Sequence, residues 1–74
     1  MKKTRISNGD LTFIFTEKLR AFDECGQAGI AIVQDGTTWR AVLTHGKEQT
    51  AMLCRRRMEL IQKQLREIYI LKED

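Results

Sequence analysis

Few side chains in this sequence are of the types that carry chemistry, and none of them stands in a recognisable catalytic pattern. His45 is the single histidine, and it lies between Thr44 and Gly46, where a strand is predicted to give way to a helix. An imidazole has the right chemistry for a general base or a metal ligand, but no nucleophile or acid stands at a characteristic spacing from it. We therefore interpret His45 as an exposed turn residue and predict no enzymatic activity.

The two cysteines, Cys25 and Cys54, lie far apart in the chain and form no close CxxC pair. Zinc sites usually take four ligands arranged in close pairs, so we predict neither a metal nor a cofactor. A disulfide framework would need more cysteines in a secreted protein, and both thiols are expected to be reduced. No apolar run has the length of a transmembrane helix. The sequence therefore predicts a cytoplasmic protein.

The run Arg55-Arg56-Arg57 is the most conspicuous charged feature. Successive helical residues are turned by about 100°, so the middle arginine points to solvent and its neighbours flank an apolar stripe. Such a cluster suits phosphate groups, and it equally suits covering the edge of a core with aliphatic stems. We take nucleic-acid binding as the alternative function, with predicted contacts at Arg40, Arg55, Arg56, Arg57 and Lys63.

The net charge gives this alternative little support. Thirteen Lys and Arg against ten Asp and Glu leave a formal net charge of +3. Lys2, Lys3 and Arg5 supply all of that excess, and we predict residues 1–5 to be a mobile basic tail. The rest of the chain is electrically neutral, and net charge reports on solubility and non-specific attraction rather than on fold.

The elements that must position these residues are clearest in the middle of the chain. Asp35-Gly36 lies between two runs rich in β-branched residues, which predicts a hairpin with a two-residue type I′ turn. In that register Ile32 faces Trp39, the pair expected to anchor the core. Because side chains alternate across a strand, the predicted core face comprises Ile30, Ile32, Trp39, Ala41 and Leu43.

From about residue 47 to about residue 71 the pattern becomes helical. Thr44 or Gly46 is expected to cap this helix. An alternative ends it near Arg66 and makes residues 67–71 a last strand, but we favour the uninterrupted helix. Apolar residues at steps of three and four draw one stripe along it, formed by Ala51, Cys54, Met58, Ile61, Leu65 and Ile68.

The N-terminal third supports two interpretations. Ser7 with Asp10 fits a helix capping box, followed by an apolar helical face that ends at Gly26. Alternatively, Asn8-Gly9 is a hairpin turn, residues 11–15 form a strand, and Thr16 caps a short helix. The Thr, Ile and Phe content favours the second interpretation. The predicted order is then β-β-α-β-β-α, an α+β fold with a small antiparallel sheet packed on a long C-terminal helix.

The apolar stripe leads to the favoured functional prediction. A chain of 74 residues forms a single small domain of marginal stability. One hairpin face cannot cover a helix of about 25 residues, roughly 37 Å long, and surplus apolar surface on such a domain is commonly buried by another chain. We predict a non-catalytic protein-interaction module that forms a homodimer or binds an unidentified protein partner, with interface candidates Leu53, Leu60, Tyr69 and Leu71.

Overall fold

The computed structural model describes residues 3–46 and 48–72. It confirms a small α+β fold with a hairpin and a long C-terminal helix, but the predicted order β-β-α-β-β-α is wrong. The elements are strand β1 (Thr4–Ile6), helix α1 (Asn8–Leu19), a 3₁₀ turn (Asp23–Cys25), strands β2 (Gly29–Asp35) and β3 (Thr38–His45), a second 3₁₀ turn (Glu48–Thr50), helix α2 (Ala51–Ile68) and strand β4 (Tyr69–Leu71). β2 and β3 pair antiparallel, whereas β1 and β4 form a separate parallel pair.

Helix α1 replaces the favoured hairpin at Asn8-Gly9 and the helix cap at Thr16. The Ser7 side chain accepts a hydrogen bond from the backbone N–H of Asp10 at 3.2 Å and so caps the helix. A strand over residues 11–15 would have pointed Phe13 into the core, yet Phe13 is 66% exposed. The cap and a four-residue apolar period outweighed local β propensity, and the buried residues are Leu11, Phe15 and Leu19.

The hairpin is confirmed, but its turn lies one residue later than predicted. Asp35 pairs with Thr38, which leaves Gly36 and Thr37 as the central turn residues. Gly36 has a φ of +63°, and no other described residue has a positive φ. This agrees with a type II′ turn, which places glycine first. The predicted type I′ turn would have forced Asp35 into a positive φ, which residues with a Cβ rarely adopt.

The pairing of the two hairpin strands is displaced by two residues as a result. Ile32 pairs with Ala41 rather than with Trp39, and Trp39 pairs with Gln34. Because the side-chain period of a strand is also two, every side chain stays on its predicted face. Ile32 and Trp39 are buried as predicted, and the remaining members of that face are half-buried against the core, namely Ile30, Ala41 and Leu43.

Helix α2 carries most of the predicted stripe but is shorter than predicted. It begins at Ala51, so neither Thr44 nor Gly46 caps it, and it ends at Ile68. Tyr69 is extended, with φ of −122° and ψ of 145°, because β-branched and aromatic side chains fit a strand well. The last strand is therefore formed, and the uninterrupted helix to residue 71 is wrong. The buried residues of the stripe are Cys54, Met58, Ile61 and Leu65.

The N-terminal residues are held by this last strand. Thr4 pairs with Tyr69 and Arg5 pairs with Ile70, so these two residues do not belong to the mobile tail predicted over residues 1–5. Met1 and Lys2, also assigned to that tail, lie outside the described residues.

Trp39 is the centre of the core. It is fully buried and meets Phe15 edge to face, with ring centres 6.3 Å apart and planes at 82°. Its indole N–H donates to the backbone C=O of Tyr69 at 3.3 Å, which ties the hairpin to β4. On the other side the Asn8 side chain donates to the C=O of Ile32 at 2.8 Å. The hairpin is thus fixed to both flanking segments through polar contacts beside the core.

Candidate functional site

Helix α2 presents two different flanks on either side of its buried stripe. The flank toward β3 is polar and includes Arg55, Gln62 and Arg66. The other flank is apolar, with side chains that are 52%, 57% and 51% exposed. Leu53 and Leu60 are close to two helical turns apart and so share one side of the helix, whereas Ile68, which was predicted in the stripe, is exposed and lies between that side and the stripe. We call these three residues the α2 seam.

The seam contains two of the four residues predicted as a protein interface, Leu53 and Leu60. The other two, Tyr69 and Leu71, belong to β4 and are half-buried against the core. An exposed apolar row is a feature of interaction sites on small proteins. The structure therefore brings Leu53 and Leu60 together with Ile68, and it places the β4 residues elsewhere.

The polar flank and β3 enclose a groove of about 490 Å³. We call it the arginine groove. It has apolar surface from both walls, and its charged side chains are three arginines and two acids. The side chains that line it are Asp35, Arg40, Ala41, Val42, Leu43, Arg55, Met58, Glu59, Gln62 and Arg66.

Two of these polar residues close the open edge of β3. Gln62 Oε1 accepts the backbone N–H of Ala41 at 2.8 Å, and Arg66 Nε donates to the C=O of Trp39 at 2.7 Å. The guanidinium of Arg66 also lies 4.0 Å from Asp35 Oδ2. An open strand edge exposes unpaired backbone groups, so these contacts both satisfy the strand and hold α2 against it. Neither Gln62 nor Arg66 was predicted as a site residue from the sequence, although they lie four residues apart beside the stripe.

The other two arginines of the groove are uncommitted. Arg40 projects from β3 and Arg55 from α2, so one guanidinium stands on each wall. Neither has a hydrogen-bond or ion-pair partner among residues 3–46 and 48–72. Two residues predicted to contact nucleic acid are therefore gathered at one place with their charges available.

The remaining predicted nucleic-acid contacts lie away from the groove. Arg57 Nε donates to Glu24 Oε1 at 3.1 Å, and its guanidinium sits 4.6 Å from the ring centre of Phe22. The backbone N–H of Glu24 and then the Arg57 guanidinium hold the pKa of Glu24 below its ordinary value. Arg56 and Lys63 are exposed. The five cations thus do not form one surface, and nucleic-acid binding stays a prediction.

Comparison with known proteins supplies no family for this arrangement. The chain matches no protein-family model, no curated protein and no solved structure.

Cys25 and Cys54 are joined by a disulfide, which corrects the prediction that both thiols are reduced. Their Cα atoms are 5.3 Å apart, and both residues are buried. The bond fastens the first 3₁₀ turn to the beginning of α2. Cytoplasmic location stays a prediction, but it loses its argument from reduced thiols because disulfides persist in oxidising compartments.

The remaining chemical candidate, His45, lies exposed at the end of β3. Its Nδ1 is 3.3 Å from Thr44 Oγ1, and a Cβ at Gly29 would collide with its ring. The described part of the chain holds no group of three or more His, Cys, Asp or Glu side chains placed to bind a metal ion. No helix within those residues is long and apolar enough to cross a membrane. The absence of enzymatic activity stays a prediction.

Proposed function

We propose that this protein is a non-catalytic interaction module that pairs with a second copy of itself through the α2 seam. The observation that carries this proposal is the exposure of Leu53, Leu60 and Ile68, each more than half exposed after the core has formed. Burying such a row removes apolar surface from water. A domain of this size gains useful stability from a second chain.

The spacing of the seam suits an antiparallel arrangement. A two-fold axis close to Leu60 sets Leu53 of one copy beside Ile68 of the second copy, and it sets the two Leu60 side chains near each other. Each apolar side chain of the seam then meets an apolar neighbour. A two-fold contact of this kind is closed, so association stops at the dimer.

The charges beside the seam favour the same orientation. Arg56, Lys63 and Glu67 are exposed residues of α2 beside the seam. In a parallel pair each of them would face its own copy, so like charges would be opposed. In the antiparallel pair Arg56 approaches Glu67 of the second copy. Exposed pairs contribute little energy each, but together they set the orientation.

Light scattering over a concentration series tests this proposal. Three apolar side chains per copy make a small interface, so we expect reversible association between about 10 μM and about 1 mM. The mass should rise from 8.6 kDa toward twice that value. Leu60→Glu should abolish the rise, whereas Phe13→Glu is the matched control, because it places the same charge on an exposed apolar position of α1. A monomer at the highest concentration, or equal losses in the two variants, would contradict the proposal.

Charge reversal tests the orientation. Arg56→Glu alone and Glu67→Arg alone should each weaken the dimer, because each opposes like charges in an antiparallel pair. The double variant should restore most of the affinity, by exchanging the two partners of the same pair. Failure of the double variant to recover would exclude the antiparallel arrangement while leaving the seam itself in place.

A further inference from the structure

We propose that the arginine groove binds a small monocarboxylate with an apolar chain. Arg40 and Arg55 stand on opposite walls with no partner among the described residues. A guanidinium offers parallel N–H groups whose geometry matches the two oxygens of a carboxylate. In this proposal the two arginines together act as a clamp for a single carboxylate.

Gln62 adds a fixed donor to this clamp. Its Oε1 is occupied by the backbone N–H of Ala41 at 2.8 Å, so its amide nitrogen remains the free end of the side chain on the groove wall. Because the first hydrogen bond fixes the side chain, this donor is held in place before any ligand arrives. Prior fixation lowers the entropy lost on binding.

The acids of the groove limit the ligand to one negative charge. Asp35 and Arg66 approach to 4.0 Å and largely offset each other. Glu59 lies one helical turn from Arg55 on the same wall. Arg40 and Arg55 against Glu59 leave one unbalanced positive charge. A phosphate dianion or a nucleic-acid backbone carries more negative charge than this excess can neutralise, whereas a monocarboxylate matches it.

The rest of the lining suits an apolar chain. Val42, Leu43 and Met58 supply aliphatic and thioether surface next to the arginines. The groove volume of about 490 Å³ falls in the range of about 300–1,000 Å³ that is usual for small-molecule sites. The exposed lining is mostly polar, with a smaller apolar part beside the arginines. In this proposal the polar part binds the carboxylate, and the apolar part contacts a short hydrocarbon chain.

An NMR titration of the full chain with hexanoate tests this inference. We expect saturable shifts of the backbone amides of Val42 and Leu43. Arg55→Gln should weaken hexanoate about tenfold, the effect of losing a charge-assisted hydrogen bond in a partly exposed site. Arg56→Gln is the matched control, since it removes the same charge from the neighbouring residue outside the groove, and it should change affinity by less than about twofold.

Two further probes separate the parts of the ligand. Hexanamide keeps the chain but lacks the charge, and inorganic phosphate keeps the charge but lacks the chain; both should bind more weakly than hexanoate. The Leu60→Glu variant should bind hexanoate as the unaltered chain does, because the seam lies on the opposite flank, so the two proposals fail independently. Absence of saturation, equal effects of Arg55→Gln and Arg56→Gln, or phosphate binding at least as tight as hexanoate would overturn the inference. An unchanged thermal unfolding midpoint for Arg55→Gln shows that lost binding is not lost folding.

Discussion

The two flanks of α2 border the same buried stripe, yet they are used in opposite ways. The flank toward β3 is polar and engaged, because Gln62 and Arg66 hydrogen-bond to the backbone of the strand. The opposite flank is apolar and largely exposed, with Leu60 as its central residue. On this helix, therefore, the polarity of a side chain does not indicate whether it faces solvent.

The contrast has a physical cause. A hairpin leaves unpaired N–H and C=O groups along its outer edges, and a side chain that hydrogen-bonds to them must be polar. Gln62 and Arg66 on the β3 flank therefore have a structural role, because they hydrogen-bond to the backbone of β3. The apolar residues of the seam find no surface of their own chain to cover, which makes them the better candidates for contact with another molecule.

Removing the disulfide that ties α2 to the first 3₁₀ turn should have the largest effect on stability. The Cys25–Cys54 disulfide closes a segment of 29 residues, and such a closure stabilises by about 3–4 kcal/mol, mainly through the entropy of the unfolded chain. The double variant with Ala at both positions should lose about that much in urea unfolding. Reduction of the unaltered chain should give the same loss. A loss below about 1 kcal/mol would mean that the β3 flank alone holds α2 in place.

Exchanging a polar and an apolar residue between the two flanks of α2 tests whether only the β3 flank contributes to stability. Gln62→Leu leaves the N–H of Ala41 without its acceptor, which should cost about 1–3 kcal/mol. Leu60→Gln makes the opposite change at an exposed position and should alter the free energy of unfolding by less than about 0.5 kcal/mol. Both are measured by urea unfolding at a protein concentration low enough to keep the chain monomeric. Equal losses would show that the seam takes part in packing within the chain, and the distinction between the flanks would be lost.

Features that depend on the spacing of apolar residues within one strand or helix were predictable from the sequence. The hairpin faces survived an error in the turn, because a displacement of two residues preserves the alternation of side chains. The buried stripe of α2 was predictable for a similar reason, since its spacing repeats over several turns. At the N-terminus two local patterns predicted different structures. The helix indicated by the Ser7 cap and the four-residue apolar period formed, and the hairpin indicated by Asn8-Gly9 did not.

Features set by distant parts of the chain were not predictable. A last strand was an alternative on local residue types, but its parallel pairing with Thr4 leaves no local pattern at residue 69 that reveals a partner near the N-terminus. The disulfide depends in the same way on the folding of the hairpin, which lies between the two cysteines. At the site, the turn of about 100° per helical residue was enough to predict that Arg55 and Arg57 lie on opposite sides of the stripe. The partners of Gln62 and Arg66 are backbone groups, which leave no signature in side-chain types.

The smallest expected effect concerns the Arg57 contact, which holds the seam side of α2 to the first 3₁₀ turn. The pKa of Glu24 is lowered in the folded chain, first by its own backbone N–H and then by Arg57. A lowered folded-state pKa means that the ionised carboxylate adds stability above the pKa of the unfolded chain, and this contribution is lost as the pH falls through the folded-state pKa. Glu24→Gln should therefore be slightly less stable than the unaltered chain at neutral pH, and the difference should shrink as the pH is lowered from about 7 to below about 4.

Thermal unfolding of both proteins across this pH range measures the effect, and Arg57→Met supplies the control. In the Arg57→Met background the carboxylate keeps its backbone hydrogen bond but loses the cation, so the pH-dependent difference caused by Glu24→Gln should shrink without disappearing. A difference that grows toward low pH would have the wrong sign for a lowered pKa. A difference unaffected by Arg57→Met would assign the whole contribution to the backbone, and Arg57 would then hold α2 only through its stacking on Phe22.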